Sequence, residues 1–353
     1  MAIQRIKMKD VAASAGVSTM TVSRALQRDA RIAAATRQHV LSVIETMGYV
    51  PDQIAASFSS QRSRFIAALV PSLNNPHFAE SIRGLSETME AEGIQVLLGQ
   101  TNYSMGREEL LVSELLRRRP EALVLTADSH STGTRKLLSR VGIPVIEIWD
   151  TPPDPIGHRV GFSNHEAAKM MVRYLAACGY QRIAYVGETH DVGTRGARRR
   201  EGYVTAIAEL GLGVPRIHLQ CPPPVSMTEG KSAFHALRDK WPDTDAIMCV
   251  SDPCAFGLMV EAVANGVSIP GDLGIAGFGD FEIGRCCFPP LTTVGVDAFQ
   301  IGIEAGILLK AEKAKVLDKA TDKTSDKTSG KRQDIAIPFG VISRGSTRDR
   351  RKA

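Results

Sequence analysis

From Phe65 onward, short apolar runs alternate with amphipathic stretches almost to the end of the chain. The runs include "FIAALVP", "QVLLGQTN", "ALVLTA", "PVIEIW", "IAYVGE", "IHLQC", "AIMCVSD" and "LGIAGFGD". Between them lie helical patterns such as "FAESIRGLSETMEAEG", "EELLVSELLRRR", "AAKMMVRYLAACG", "YVTAIAELG" and "AFGLMVEAVANG". Continuously apolar strands separated by helices predict parallel sheets covered on both faces. About ten strands are too many for one sheet, so two doubly wound parallel-sheet lobes are expected. The first fifty residues have a different texture. Helices are expected over 8–15, 19–26 and 36–47, with Val11, Ala12, Ala15, Val40, Leu41, Val43, Ile44 and Met47 turned inward. "GYVPDQ" then stops the helix. The expected organisation is a small all-α unit (1–50), a linker (51–63) and an α/β core (64–345). Within the core, one lobe takes about 64–162 and 292–325 and the other about 163–291 and 334–345. The polar stretch 315–333, containing "DKATDKTSDKTSGKRQD", reads as a low-complexity loop, with "IAIPFGVISR" as a last strand.

Charge narrows the partners. Residues 1–62 carry eight basic side chains against four acidic ones, so a net +4 of the chain's +5 sits in the N-terminal unit. That asymmetry points to a polyanion bound there. No apolar run approaches the roughly 20 residues of a membrane span, and "MAIQRIKMKD" has no apolar region of a secretory signal. Six cysteines without a CxxC pair read as reduced thiols of a cytoplasmic protein. A metal site at Cys249, Cys254 and a histidine is disfavoured, and no metal or cofactor is expected. Gly277-Phe278-Gly279 and Gly193…Gly196 do not complete a dinucleotide loop, and no nucleophile elbow is present, so no catalysis is expected.

On a helix over 19–26, Val22, Ala25 and Leu26 share one side, while Met20 and Arg24 lie on the other beside Thr19, Thr21 and Ser23. This face has no acid, several hydroxyls, one arginine and a flexible apolar side chain. Such groups suit phosphates, guanine edges and thymine methyls. Gly16 supplies a tight turn before the Ser18 N-cap, giving a helix-turn-helix crossing. "MKDVAASAGVSTMTVSRAL" followed by "GYVPDQIAASF" resembles the DNA-binding segment and hinge of the lactose-repressor (LacI/GalR) family, and the likeness spans nearly the whole chain. "VPSLNNPHFAE", "GIPVIEIWD" and "IAGFGDFEIG" are most similar to repressors of gluconate utilisation. The resemblance implies that Thr19, Met20 and Arg24 read bases, that Thr21 and Ser23 touch phosphates, and that Gly16 is the turn residue. Lys7 stands where the family has a Ser or Thr cap opposite Asp10, so half of a capping box is missing and a frayed helix start is expected. The resemblance also implies a hinge that enters the minor groove, with Phe58 as wedge beside Ile54 and Ala55; the alternative is that Phe58 packs on the core.

The core resembles periplasmic sugar-binding proteins, with chain crossings near Phe162 and Leu291 and a cleft beyond the C-terminal ends of the strands. Expected effector residues are Asn75, Phe78, Thr126, Asp150, Phe162, Asn164, Arg199, Asp252 and Asp280, with Asn74, His77 and Ser163 nearby. Arg199 matches the family's effector-binding arginine, although the run Arg198-Arg199-Arg200 leaves that choice open by one position. A guanidinium pairs two-pronged with a carboxylate. Gly279 stands where the lactose repressor has an aspartate, which favours an anionic ligand unless this glycine merely serves a turn. The resemblance thus implies a cytoplasmic, homodimeric repressor that binds double-stranded operator DNA and is released by a sugar acid such as gluconate. Alternatives are an activator or corepressor-dependent repressor, and a sugar-modifying α/β enzyme with a DNA-binding segment.

Overall fold

The computed structural model describes residues 6–26, 31–50, 63–126, 129–189, 194–321 and 332–352. It divides into two compact units, Met1–Ser63 and Arg64–Ala353.

The first unit contains α1 (Met8–Ser14), α2 (Thr19–Leu26) and α3 (Ala34–Met47). The Lys7 N–H donates to Asp10 Oδ2 at 2.8 Å, and the Lys7 ammonium has no lone pair to return the bond. Even so, α1 begins at Met8, where the sequence placed it. Val11, Ala12, Ala15, Val22, Ala25, Val40 and Tyr49 form the core, with Val43, Ile44 and Met47 packed against it. Leu41 is half-buried and lies outside this cluster, whereas Tyr49, just past the Gly48 cap, is inside it. The hinge residues Ile54, Ala55 and Phe58 lie outside the described residues.

The second unit is built on two parallel sheets. The first has six strands: β1 (Phe65–Val70), β2 (Gln95–Gln100), β3 (Leu123–Leu125), β4 (Val145–Ile148), β5 (His158–Gly161) and β11 (Asp334–Ala336), in the order β11-β5-β4-β3-β1-β2. The second has β6 (Ile183–Glu188), β7 (Arg216–Cys221), β8 (Ala246–Cys249) and β9 (Gly274–Ala276), in the order β7-β6-β8-β9. A third, antiparallel pair joins β10 (Thr293–Val296) to β12 (Phe339–Ile342). Nine helices are described in this unit: α4 (Pro76–Glu90), α5 (Met105–Leu116), α6 (Thr132–Leu138), α7 (Asn164–Ala177), α8 (Arg195–Glu209), α9 (Met227–Lys240), α10 (Asp252–Ala264), α11 (Glu282–Cys286) and α12 (Ala298–Thr321).

Towards the end of the chain the structure differs from the sequence reading in two places. The last strand is really two, divided at Pro338, which has no N–H to continue a ladder. Its first part pairs with β5 in the six-stranded sheet, Asp334 opposite Arg159, so 334–336 sits with the first lobe instead of the second. Helix α12 continues to Thr321, inside the stretch read as a loop, because lysine, leucine and alanine in "KVLDKAT" favour helix. Helix pairs close on glycine. A Cβ at Gly302 of α12 would overlap Ser81 O of α4, one at Gly202 of α8 would overlap His165 O of α7, and one at Gly257 of α10 would overlap Met227 O of α9. These contacts set the helices close together.

Candidate functional site

Each unit carries one candidate site. In the first, Val22 and Ala25 anchor α2 in the core with no exposed surface. Gly16, at φ 63°, makes the left-handed turn that a side chain would strain. Ser18 Oγ accepts the Thr21 N–H at 3.1 Å and pairs with the Thr21 hydroxyl at 2.9 Å, so Thr21 is committed to the cap as well as to any phosphate. Helix α3 ties down both neighbours: Arg37 Nε donates to Ala25 O at 3.2 Å, and His39 Nε2 meets Ala15 O at 3.3 Å. What remains outward on α2 is Thr19 and Met20, with Ser23 and Arg24 half-buried beside them. Met20 is 61% exposed, and no acid stands on the helix. The surface is therefore short hydroxyls, one cation and one flexible apolar side chain, a set that can meet phosphates and base edges.

In the second unit, a cavity of about 770 Å³ opens between the C-terminal ends of the two sheets, a volume suited to a small ligand. Asn75, Phe78, Thr126 and Arg199, all expected there, line it, as do Asn74 and His77. Asn75 caps α4, its Oδ1 accepting the His77 N–H at 3.0 Å. Arg199 projects from α8. Its Nε donates to Asn164 Oδ1 at 2.9 Å, its Nη1 to Val250 O at 2.7 Å, and its guanidinium lies 3.5 Å from the Phe278 ring centre. Arg198 instead pairs with Glu201 at the surface.

Five expected residues stand behind the wall of the cavity. Asn164 is fully buried and holds Arg199 while its Nδ2 donates to Trp149 O at 3.1 Å. Phe162 packs among Trp149, Phe278 and Phe339. Asp150 Oδ1 accepts the N–H of Thr151. Asp280 pairs with Arg344 and Arg285. Asp252 accepts from Thr293 Oγ1 at 2.6 Å and from the Phe281 N–H at 2.7 Å, tying α10 to the strands beside it. Burial raises its pKa to about 6, against the pull of those two hydrogen bonds. The physical reason is common to the four polar ones: such groups at strand ends are already needed to satisfy the backbone and charges that converge there, while Phe162 belongs to the aromatic core. Gly279 shows the same economy. At φ 130°, it leaves space that the Phe281 and His77 rings fill, so the missing side chain makes room for protein, not ligand.

The sequence reading missed Tyr103, Trp149, Glu188, Arg195 and Phe281, which also line the cavity. Glu188 ends β6, so the strand-end rule pointed to it. Arg195 reaches across to the other lobe, its Nη1 donating to Thr126 O at 3.0 Å and its guanidinium lying 5.1 Å from the Phe78 ring centre. His77 and Phe281 likewise meet across the cleft, with ring centres 4.1 Å apart. Burial, and next the Arg199 charge, lower the His77 pKa to about 4, so its ring is neutral near pH 7.

Below the cavity, His130 is clamped between Glu108 Oε1 at 2.7 Å and Glu147 Oε1 at 3.1 Å. Burial opposes a charge on His130, but the two carboxylates outweigh it and raise its pKa to about 9. A raised histidine pKa stabilises the fold below the unfolded value of 6.5, and this contribution is lost as pH rises from there towards 9. The contribution is on the order of 3 kcal/mol. Denaturant titrations across that window should show wild type losing stability, with the loss absent in His130→Gln; an unchanged slope in the variant contradicts the assignment.

The protein-family comparisons agree with both units. Residues 7–52 match the model for bacterial regulatory proteins of the lacI family, and residues 63–328 match that for periplasmic binding proteins and the sugar-binding domain of the LacI family. The HTH-type transcriptional regulator GntR of Escherichia coli K12 is 33% identical over 291 residues, covering 82% of this chain and 87% of that protein. Among solved structures, a LacI family transcriptional regulator from Silicibacter pomeroyi is 42% identical with a TM-score of 0.72, covering 80% of this chain and 98% of its own. The lac repressor dimer bound to operator and the anti-inducer ONPF shares the fold, with a TM-score of 0.82 at 20% identity over 98% of this chain and 99% of its own. These relatives are regulators, not enzymes, and no described helix is long and apolar enough to cross a membrane. The chain belongs to the LacI family of DNA-binding transcriptional regulators.

Proposed function

We propose that this regulator is a cytoplasmic, homodimeric repressor of a sugar-acid utilisation operon, released from its operator by a gluconate-like effector in the cleft. The observation that carries the effector class is Arg199. Its guanidinium is braced by Asn164, Val250 O and the Phe278 ring at the cavity wall, a rigid cation placed where a ligand carboxylate can reach it. The likeness to GntR-type regulators supports the same class. Dimerisation is supported by large apolar side chains left exposed on one lobe: Leu97 and Leu98 on the edge strand β2, and Leu110 on α5. A two-fold dimer presents two copies of α2 to the half-sites of a near-palindromic operator, with Thr19, Met20 and Arg24 at base edges and Thr21 and Ser23 at phosphates. Effector binding acts through unequal affinity for the DNA-bound and released states.

The test is operator binding, by fluorescence anisotropy, with and without D-gluconate, ketoaldonates and phosphorylated sugars. Loosening by an unphosphorylated sugar acid is the expected result. Tightening would make the ligand a corepressor, and no response to any sugar acid would reject the effector class.

A further inference from the structure

The edge of the six-stranded sheet farthest from the cavity is strongly basic. Because β1, β3, β4, β5 and β11 run parallel, their first residues share that edge. Arg64 stands just before β1, Arg332 two residues before β11, and Arg117-Arg118-Arg119 between α5 and β3. Arg140 follows α6 on the way to β4. All six are exposed, and none has an ion-pair partner among the described residues. The acids nearby are engaged already: Glu121 by Lys313, Glu92 by Lys310, Glu312 by Lys315, Asp154 by Arg135 and Asp334 by Arg159. Among the described residues, Glu90 and Glu114, near the ends of α4 and α5, are the unpaired carboxylates that oppose the arginines. Two of the arginines also occupy costly backbone. Arg64 and Arg119 both sit at φ 55°, in the left-handed region where glycine is unstrained. At the turns into β2 and β4 the same region is taken by Gly93 and Gly142. Arginine kept where glycine would serve the turn better points to a use for its charge. A cation does suit a helix C-terminus, and Arg117 caps α5. That accounts for one arginine at a helix end, not for three in a row with the last in left-handed backbone.

We infer that this edge of the second unit is a further DNA-contacting surface, one that holds phosphates of the duplex read by α2. Guanidiniums with no acid beside them match phosphate in charge and in hydrogen-bond geometry. Connectivity supplies the DNA. The chain enters the second unit at Arg64, on this edge, so a duplex bound by the first unit is tethered to it by residues 51–63. Fully extended, that linker spans at most about 45 Å. Contacts to phosphate carry no sequence information, so the surface adds affinity and salt dependence without adding discrimination. The effector reading is not needed for it, since the cavity lies at the other ends of the strands.

The experiment follows the full chain on a labelled duplex from upstream of its own gene over a series of salt concentrations, beside thermal unfolding without DNA. A triple variant, Arg117→Gln with Arg118→Gln and Arg119→Gly, should bind that duplex about tenfold or more weakly at low salt. Its plot of log affinity against log salt should be shallower by at least about 0.9, the value of one phosphate contact. Preference over a random duplex should stay within about twofold of wild type, because both duplexes lose the same contacts. Arg119→Gly alone should flatten the salt plot while unfolding at the wild-type temperature or higher, since glycine relieves the left-handed residue. Unchanged affinity and salt slope in the triple variant overturn the surface. A lower unfolding temperature with unchanged DNA affinity also overturns it, and makes the arginines supports of their helix ends. Loss on the upstream duplex with none on random duplex assigns them to base reading and overturns the phosphate contact. Weaker binding of single-stranded RNA, with duplex binding unaltered, overturns the assignment to DNA.

Discussion

Arg199→Ala is expected to lower D-gluconate affinity by about a hundredfold or more, while ligand-free operator binding stays within about twofold of wild type. Each hydrogen bond to a charged partner contributes about 1.5–3 kcal/mol, and a two-pronged guanidinium–carboxylate pair loses both at once. The variant also leaves Asn164 Oδ1 and Val250 O without the donors they now have, which adds to the cost of holding the site in shape. Both of those contacts lie within the second lobe, so the first unit should be untouched. Arg199→Lys separates charge from geometry: an ammonium on a flexible stem keeps the charge and loses the planar fork, and should recover only part of the affinity. Calorimetry with D-gluconate and anisotropy with operator DNA provide the two readings. A variant still released from operator at ordinary ligand concentrations would remove Arg199 from the site.

Arg24→Ala is the second large effect. A bidentate arginine–guanine contact carries about 1–3 kcal/mol of discrimination, so specific operator affinity should fall roughly ten- to a hundredfold. Affinity for random duplex should change by less than about threefold, because phosphate contacts from the rest of the basic unit persist. Discrimination thus collapses while salt-sensitive binding survives. Equal losses on operator and random DNA would make Arg24 a phosphate contact instead of a base reader.

How much of this was legible in the sequence depends on which force set each feature. The α2 face was legible because burial of Val22 and Ala25 fixes the helix phase, and phase alone sends Met20 outward and Arg24 to the helix flank. The two parallel sheets were legible from apolar continuity. The strand β5 was not, since "HRVG" mixes a histidine, an arginine and a glycine and its first two residues are only half-buried. The split between β11 and β12 falls at Pro338, which cannot donate to a ladder.

In the cleft, position along the chain located the loops but could not tell a ligand-facing polar group from one already spoken for. Asp252 and Asp280 looked like ligand residues and are engaged by Thr293, the Phe281 N–H and Arg344. Asp150 was one residue off: Trp149, held at φ 81°, faces the cavity instead. Glu188 stands at a strand end like the others, yet reads as the polar terminus of an apolar strand. Only packing shows that its Oε1 has no partner among the described residues. The hinge around Phe58 falls outside the described residues, and its wedge remains an expectation of the family resemblance.

The central claim is that DNA read by α2 is placed under the control of an acid bound at Arg199. The most direct measurement follows full-length protein on a labelled duplex from upstream of its own gene, in low salt, while D-gluconate is titrated in. The account predicts retention of that duplex over a random one, and release as D-gluconate rises. No preference for that duplex over random DNA, or preference that no sugar acid alters, would contradict it.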